Sequence, residues 1–135
     1  MQTTFPKIST SRMPTKMIKV KYTYDRDKRE CSLLVNGHAG QANIGEDIVC
    51  ASATILAFTI AQIVKAMDDN GELAEPPILE LESGDATIVC RAKDDDLYAE
   101  MAQSFYTIKI GYMLLQHNYP QYVEIIDDKD DKSLT

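Results

Sequence analysis

Two side chains have the types and spacing for covalent chemistry. Cys50 follows His38 by twelve residues, and the glycine-containing stretch between them leads into an apolar run. Asp47 is a residue type that caps helices well, and if it caps the one that follows, Cys50 is the third helical residue. Unbonded amides and the helix dipole would there favour a negative sulfur. Thiols so placed, or beside a cationic imidazole, have pKa values lowered from about 8.5 to roughly 3.5–7.5 and attack electrophiles at neutral pH. The loop after His38 is long enough to fold back, so the imidazolium could hold the thiolate and later protonate an amine leaving group. The first-turn amides, that of Cys50 included, could receive the oxyanion. This is the minimum equipment for acyl transfer. Asp47 has two open roles, capping the helix or orienting His38. On residue types alone, however, a buried cysteine and a histidine in a glycine turn more often do nothing chemical.

The elements that must position these groups are legible in the periodicities. Ile18, Val20, Tyr22 and Tyr24 alternate with Lys19, Lys21 and Thr23, and Cys31, Leu33 and Val35 resume the alternation after the polar turn 25–29, so residues 17–36 predict a hairpin. Asp47 to Met67 is too long for a strand and predicts a helix that is apolar on most sides, ended by Asp68-Asp69-Asn70-Gly71. Covering it would take a sheet on one side and a second subunit on the other. Ile78–Leu81 and Ala86–Ala92 flank Glu82-Ser83-Gly84-Asp85 and predict a second hairpin. Asp94–Asp96 precede Leu97, Met101, Phe105, Ile108, Tyr112 and Leu115 at helical spacing. Asn118-Tyr119-Pro120 stops that helix, and residues 122–126 form a last short strand. The order ββαββαβ predicts an α+β two-layer sandwich, two helices on a mostly antiparallel sheet. Residues 1–16 read as a flexible N-terminal arm, 17–126 as one domain and 127–135 as an acidic tail.

Composition narrows the function classes. The 135 residues are 44% apolar and 26% charged, enough for one core. Net charge is −7, with eight basic and three acidic side chains in residues 1–36 against six and eighteen in 37–135. The acidic body repels phosphate backbones, so no direct nucleic-acid partner is expected, and it attracts cationic peptides. The longest charge-free stretch, Ile48–Val64, is seventeen residues, short of the roughly 20 a bilayer requires. No membrane partner and no secretory signal are expected, which places the protein in the cytoplasm. Three cysteines, Cys31, Cys50 and Cys90, imply reduced thiols rather than a disulfide scaffold. With two histidines and no closely spaced Cys pair, no metal is expected, and no cofactor, since neither a dinucleotide glycine fingerprint nor a phosphate loop is present. Cys31 and Cys90 alternate with apolar strand residues and should be buried and inert, and His117 should serve the local helix dipole.

Gly37-His38-Ala39-Gly40, followed by Gly45 and Asp47-Ile48-Val49-Cys50-Ala51, resembles the defining motif of the ribosomal-processing cysteine protease family, Prp. Met17-Ile18-Lys19-Val20 and Tyr119-Pro120-Gln121-Tyr122 extend the likeness over roughly residues 17–126. The resemblance implies a catalytic dyad of His38 and Cys50, with Gly37, Asp47 and Thr54 as supporting positions. It also implies a homodimer that removes the N-terminal extension of large-subunit ribosomal protein twenty-seven, cutting after paired aromatic residues. The family continues Cys-Ala-Ala-Val-Ser, whereas this chain has Cys50-Ala51-Ser52-Ala53-Thr54, which keeps a hydroxyl and adds a methyl. Relatives begin near Met17, so residues 1–16 are a true extension, the product of a start assigned upstream of Met17, or an arm that touches the site, the first two being favoured. Two other readings compete: an inactive peptide-binding or assembly module of the same fold, and a thiol redox sensor, for which Cys31 and Cys90 are badly placed as resolving partners.

Overall fold

A computed structural model describes residues 17–37, 44–82 and 85–126, for 44–47 the backbone only. Strands β1 (Ile18–Asp25) and β2 (Glu30–Asn36) precede helix α1 (Ile44–Asp69). Strands β3 (Ile78–Glu82) and β4 (Asp85–Arg91), helix α2 (Asp95–Asn118) and strand β5 (Val123–Ile126) follow. The order is ββαββαβ, an α+β fold, as the periodicities predict. The five-stranded sheet runs β3-β4-β2-β1-β5. Three of its four pairings are antiparallel, and β5 joins β1 in parallel.

Alternation turns Ile18, Val20, Tyr22 and Tyr24 of β1 inward, with Cys31, Leu33 and Val35 of β2 and Ala86, Ile88 and Cys90 of β4, and both helices pack on that face. The Asp94 side chain caps α2, accepting from the Leu97 amide at 2.9 Å. At the other end the Tyr119 amide donates to the Leu115 carbonyl. The turn then brings the Tyr122 carbonyl to the Ile18 amide at 2.8 Å, so the Tyr-Pro-Gln-Tyr sequence docks β5 beside the start of β1. Helix α1 closes with Glu72 N–H on the Met67 carbonyl and Gly71 N–H on the Asp68 carbonyl, with Gly71 at φ +71°. This is the six-to-one and five-to-two pairing that favours glycine after a helix.

Two expectations need correction. Helix α1 starts at Ile44, so Asp47 lies within it and does not cap it. Asn43 precedes the observed start and Glu46 stands three residues on, a sequence pattern that starts helices as well as Asp47 does. The stretch Ile48–Asp69, mean hydropathy 1.8, is also long and apolar enough to cross a membrane once its charged last turn is counted. In the fold this apolarity has other uses, since Val49, Ala53, Ala57, Ile60 and Val64 are buried in the common core.

Candidate active site

Helical spacing places Cys50, Ala53, Thr54, Ala57 and Phe58 on one face of α1, at offsets of three, four, seven and eight. That face forms one wall of a shallow groove. The sheet supplies the opposite wall through Ile18 of β1, Val35 of β2 and Ala86 of β4, and Glu82 and Asp85 stand at the rim on the β3–β4 turn. Ala53 and Ala57, both buried, form the floor where α1 meets the sheet. Cys50 is half-buried on this wall and Thr54 lies one turn beyond it, so the structure brings these two predicted residues together.

Because α1 begins at Ile44, Cys50 is its seventh residue and not its third. The dipole and the free amides of a helix terminus belong to the first turn. Cys50 in the second turn has its own amide within the helical ladder, which removes it as an oxyanion donor.

Gly37 has a structural reason to be glycine. Its φ is +95°, a left-handed value, and a Cβ there would strike the Met17 carbonyl oxygen. The end of β2 thus passes close to the chain entering β1, and Val35 and Ile18, from these same two segments, line the groove. His38 lies outside the described residues, as do the side chain of Asp47 and residues 1–16 and 127–135.

Support for the Cys50 wall comes from α2. Tyr112, fully buried, donates its hydroxyl to the Ala53 carbonyl at 2.7 Å, and Gly111 lets α2 approach Leu56 so closely that a Cβ would sit 2.6 Å from it. Burial raises the Tyr112 phenol well above its ordinary range. The Tyr22 hydroxyl is buried with no hydrogen-bond partner among the described residues, and its ring meets that of Tyr112 edge-on at 6.1 Å.

Cys31 and Cys90 are buried as expected, 0% and 3% exposed, and face each other across β2 and β4. Burial, with the charge of Glu30 adding to it, pushes the Cys90 thiol up to about 12, and its sulfur lies 3.3 Å from that of Met101. Neither belongs to the groove lining. His117 is exposed in the last turn of α2. Among the described residues, no group of three His, Cys, Asp or Glu could hold a metal ion. The groove residues Ile18, Val35 and Ala86 were not legible in the sequence, since they come from three separated strands; only the small residues spaced from Cys50 carried a signal.

The sequence model of the cysteine protease Prp matches residues 17–124. The chain belongs to the Prp family. It is accordingly a cysteine protease of the ribosomal-processing family. Among solved structures, a ribosomal processing protease Prp from Staphylococcus aureus in complex with a substrate peptide is similar. It has a TM-score of 0.59 and 21% identity, over 83% of this chain and all of that one. A protein from Streptococcus mutans matches at TM-score 0.59 and 20% identity over 84% of this chain and 97% of its own. A second S. aureus Prp structure, with a covalently linked product peptide, matches at TM-score 0.55 and 21% identity over 83% of this chain and all of that chain. At such identities the likeness is one of fold. No curated protein matches the sequence.

Proposed function

We propose that this Prp removes the N-terminal extension of large-subunit ribosomal protein twenty-seven in the cytoplasm, through Cys50 and His38. The observation that carries the reading is the half-buried Cys50 on the wall of a shallow, mostly apolar groove whose other wall includes Val35, three residues before His38. The His38 imidazole takes the Cys50 proton, and the thiolate adds to the scissile carbonyl carbon. The tetrahedral intermediate collapses as the C–N bond breaks and the imidazolium protonates the leaving amine, leaving a thioester on Cys50. Water, deprotonated by His38, then adds to the thioester and releases the acid and the thiol. An S. aureus relative that holds a covalently linked product peptide fits such an acyl step. The apolar lining suits aromatic side chains before the cleaved bond, and the acidic rim suits a basic peptide.

Thr54 and Gly37 support the site, Thr54 by its hydroxyl one turn from Cys50 and Gly37 by fixing where β2 ends. With α1 starting at Ile44, Asp47 is left the role of orienting His38 rather than capping. A homodimer is supported by exposed apolar side chains on both helices, Ile55 and Phe58 on α1 and Ile110, Met113 and Leu114 on α2.

The test is incubation with the extended ribosomal protein followed by mass spectrometry of the products. Cys50→Ala and His38→Ala should each lower cleavage by about 10³-fold or more with the unfolding midpoint unchanged. Cys31→Ala, remote from the groove, should cleave normally per folded molecule. Cleavage by Cys50→Ala at the wild-type rate would overturn the reading.

A further inference from the structure

Residues 1–16 precede the family match, which begins at residue 17, and the S. aureus relative is covered along its whole length by 83% of this chain. The segment carries Lys7, Arg12 and Lys16, no acidic residue, and the large apolar side chains Phe5, Ile8 and Met13. It joins the domain at a particular place. Ile18, the first residue of β1, lines the groove beside Cys50, and the Met17 carbonyl abuts Gly37 at the end of β2. Sixteen residues reach up to about 50 Å, several times what is needed to run along a groove that starts at their own point of attachment. The groove has a buried apolar floor that includes Val35 and Ala57, an exposed apolar side chain, Phe58, and exposed acidic residues at its rim, Glu82 and Asp85. The attached segment is basic and apolar, so the two are complementary in charge and polarity.

From this juxtaposition we infer that residues 1–16 bind in the groove beside Cys50 as a tethered, substrate-like peptide that competes with substrate. The inference rests on reading the groove as the peptide-binding site. Tethering gives such a segment a local concentration of order mM, so even weak complementarity keeps it seated. Its hold is charge-assisted and exposed, and salt weakens it.

Alkylation by iodoacetamide, an uncharged reagent, tests occupancy without requiring proteolysis. Cys50 is the half-buried thiol, whereas labelling of Cys31 and Cys90 reports unfolding. In the full chain, Lys7→Glu, Arg12→Glu and Lys16→Glu together should speed Cys50 labelling about fivefold at low salt, the product of three modest exposed charge contacts. High salt should bring the wild type up to the variant's rate. Added carboxylates would by charge alone disfavour a sulfur anion and slow the reaction, so acceleration reads uncovering. A synthetic peptide of residues 1–16 with native sequence, added to the triple variant, should slow labelling again. With substrate, the triple variant should show a lower KM at unchanged kcat. Equal labelling rates for wild type and variant at low salt would overturn the inference even if both cleave substrate. Faster labelling of a variant in a protein that cleaves nothing would uphold the seated segment and instead sink the protease reading.

Discussion

The β1–β2 hairpin has two unlike ends. Toward its turn, Tyr22 and Tyr24 stack at 6.4 Å, Tyr112 packs on Tyr22, and Cys31 faces Cys90, all sealed beneath α2. At its other end, Ile18 and Val35 join Ala53 and Ala57 of α1 as the buried floor of the groove beside Cys50. The same strands therefore carry a closely packed core at one end and, at the other, the groove that Cys50 lines. Packing is looser where the proposed function has a peptide enter, and the tyrosine-rich end supplies the rigidity that holds the groove walls in place.

The largest expected effect breaks the packed end. Phe105, fully buried in α2, should destabilise the protein by about 3–5 kcal/mol when changed to Ala. Denaturant unfolding measures this, and activity per folded molecule should be retained. The next bears on the groove end. Gly37→Ala should destabilise by about 1–3 kcal/mol, because its φ of +95° and the Met17 carbonyl both exclude a side chain. Unlike Phe105→Ala, it should lower activity per folded molecule, because the end of β2 moves. If both variants scale activity only with the folded fraction, the contrast between the two ends fails.

The smallest effect is a pH dependence of the packed end. An unfolded cysteine ionises near 9 and the Cys90 thiol near 12, so over that interval the unfolded chain has released a proton that the folded chain keeps. Folding stability therefore falls as pH rises from about 9, and Cys90→Ala should flatten that slope in unfolding measured from pH 8 to 11. Tyr22 and Tyr112, raised by burial, have the same sign and act at higher pH.

Much of this fold was legible because its signals are local. The alternation Ile18-Val20-Tyr22-Tyr24 and the acid-led start of α2 at Asp94 each declare an element within a few residues. The start of α1 was missed by four residues, since Asn43 and Asp47 are equally good capping types and sequence does not rank them. Family likeness singles out Cys50 and Thr54 as candidate site residues, and one helical turn puts them on one wall of the groove. The facing wall was not, because Ile18, Val35 and Ala86 meet only through strand order and register. The adjacency of Cys31 and Cys90 was hidden for the same reason. The four residues of β5 say nothing of their parallel partner, which the Tyr122 carbonyl on the Ile18 amide selects.

That hydrogen bond also decides how the molecule can be attached to anything else. It sets Val123 beside Ile18, and β5 then climbs parallel to β1 until Ile126 reaches Lys21. A fusion or affinity handle joined after β5 departs from higher up the sheet edge, whereas one joined before Met17 would crowd the groove mouth. Immobilised through its C-terminal side, the enzyme should keep its groove clear of the support.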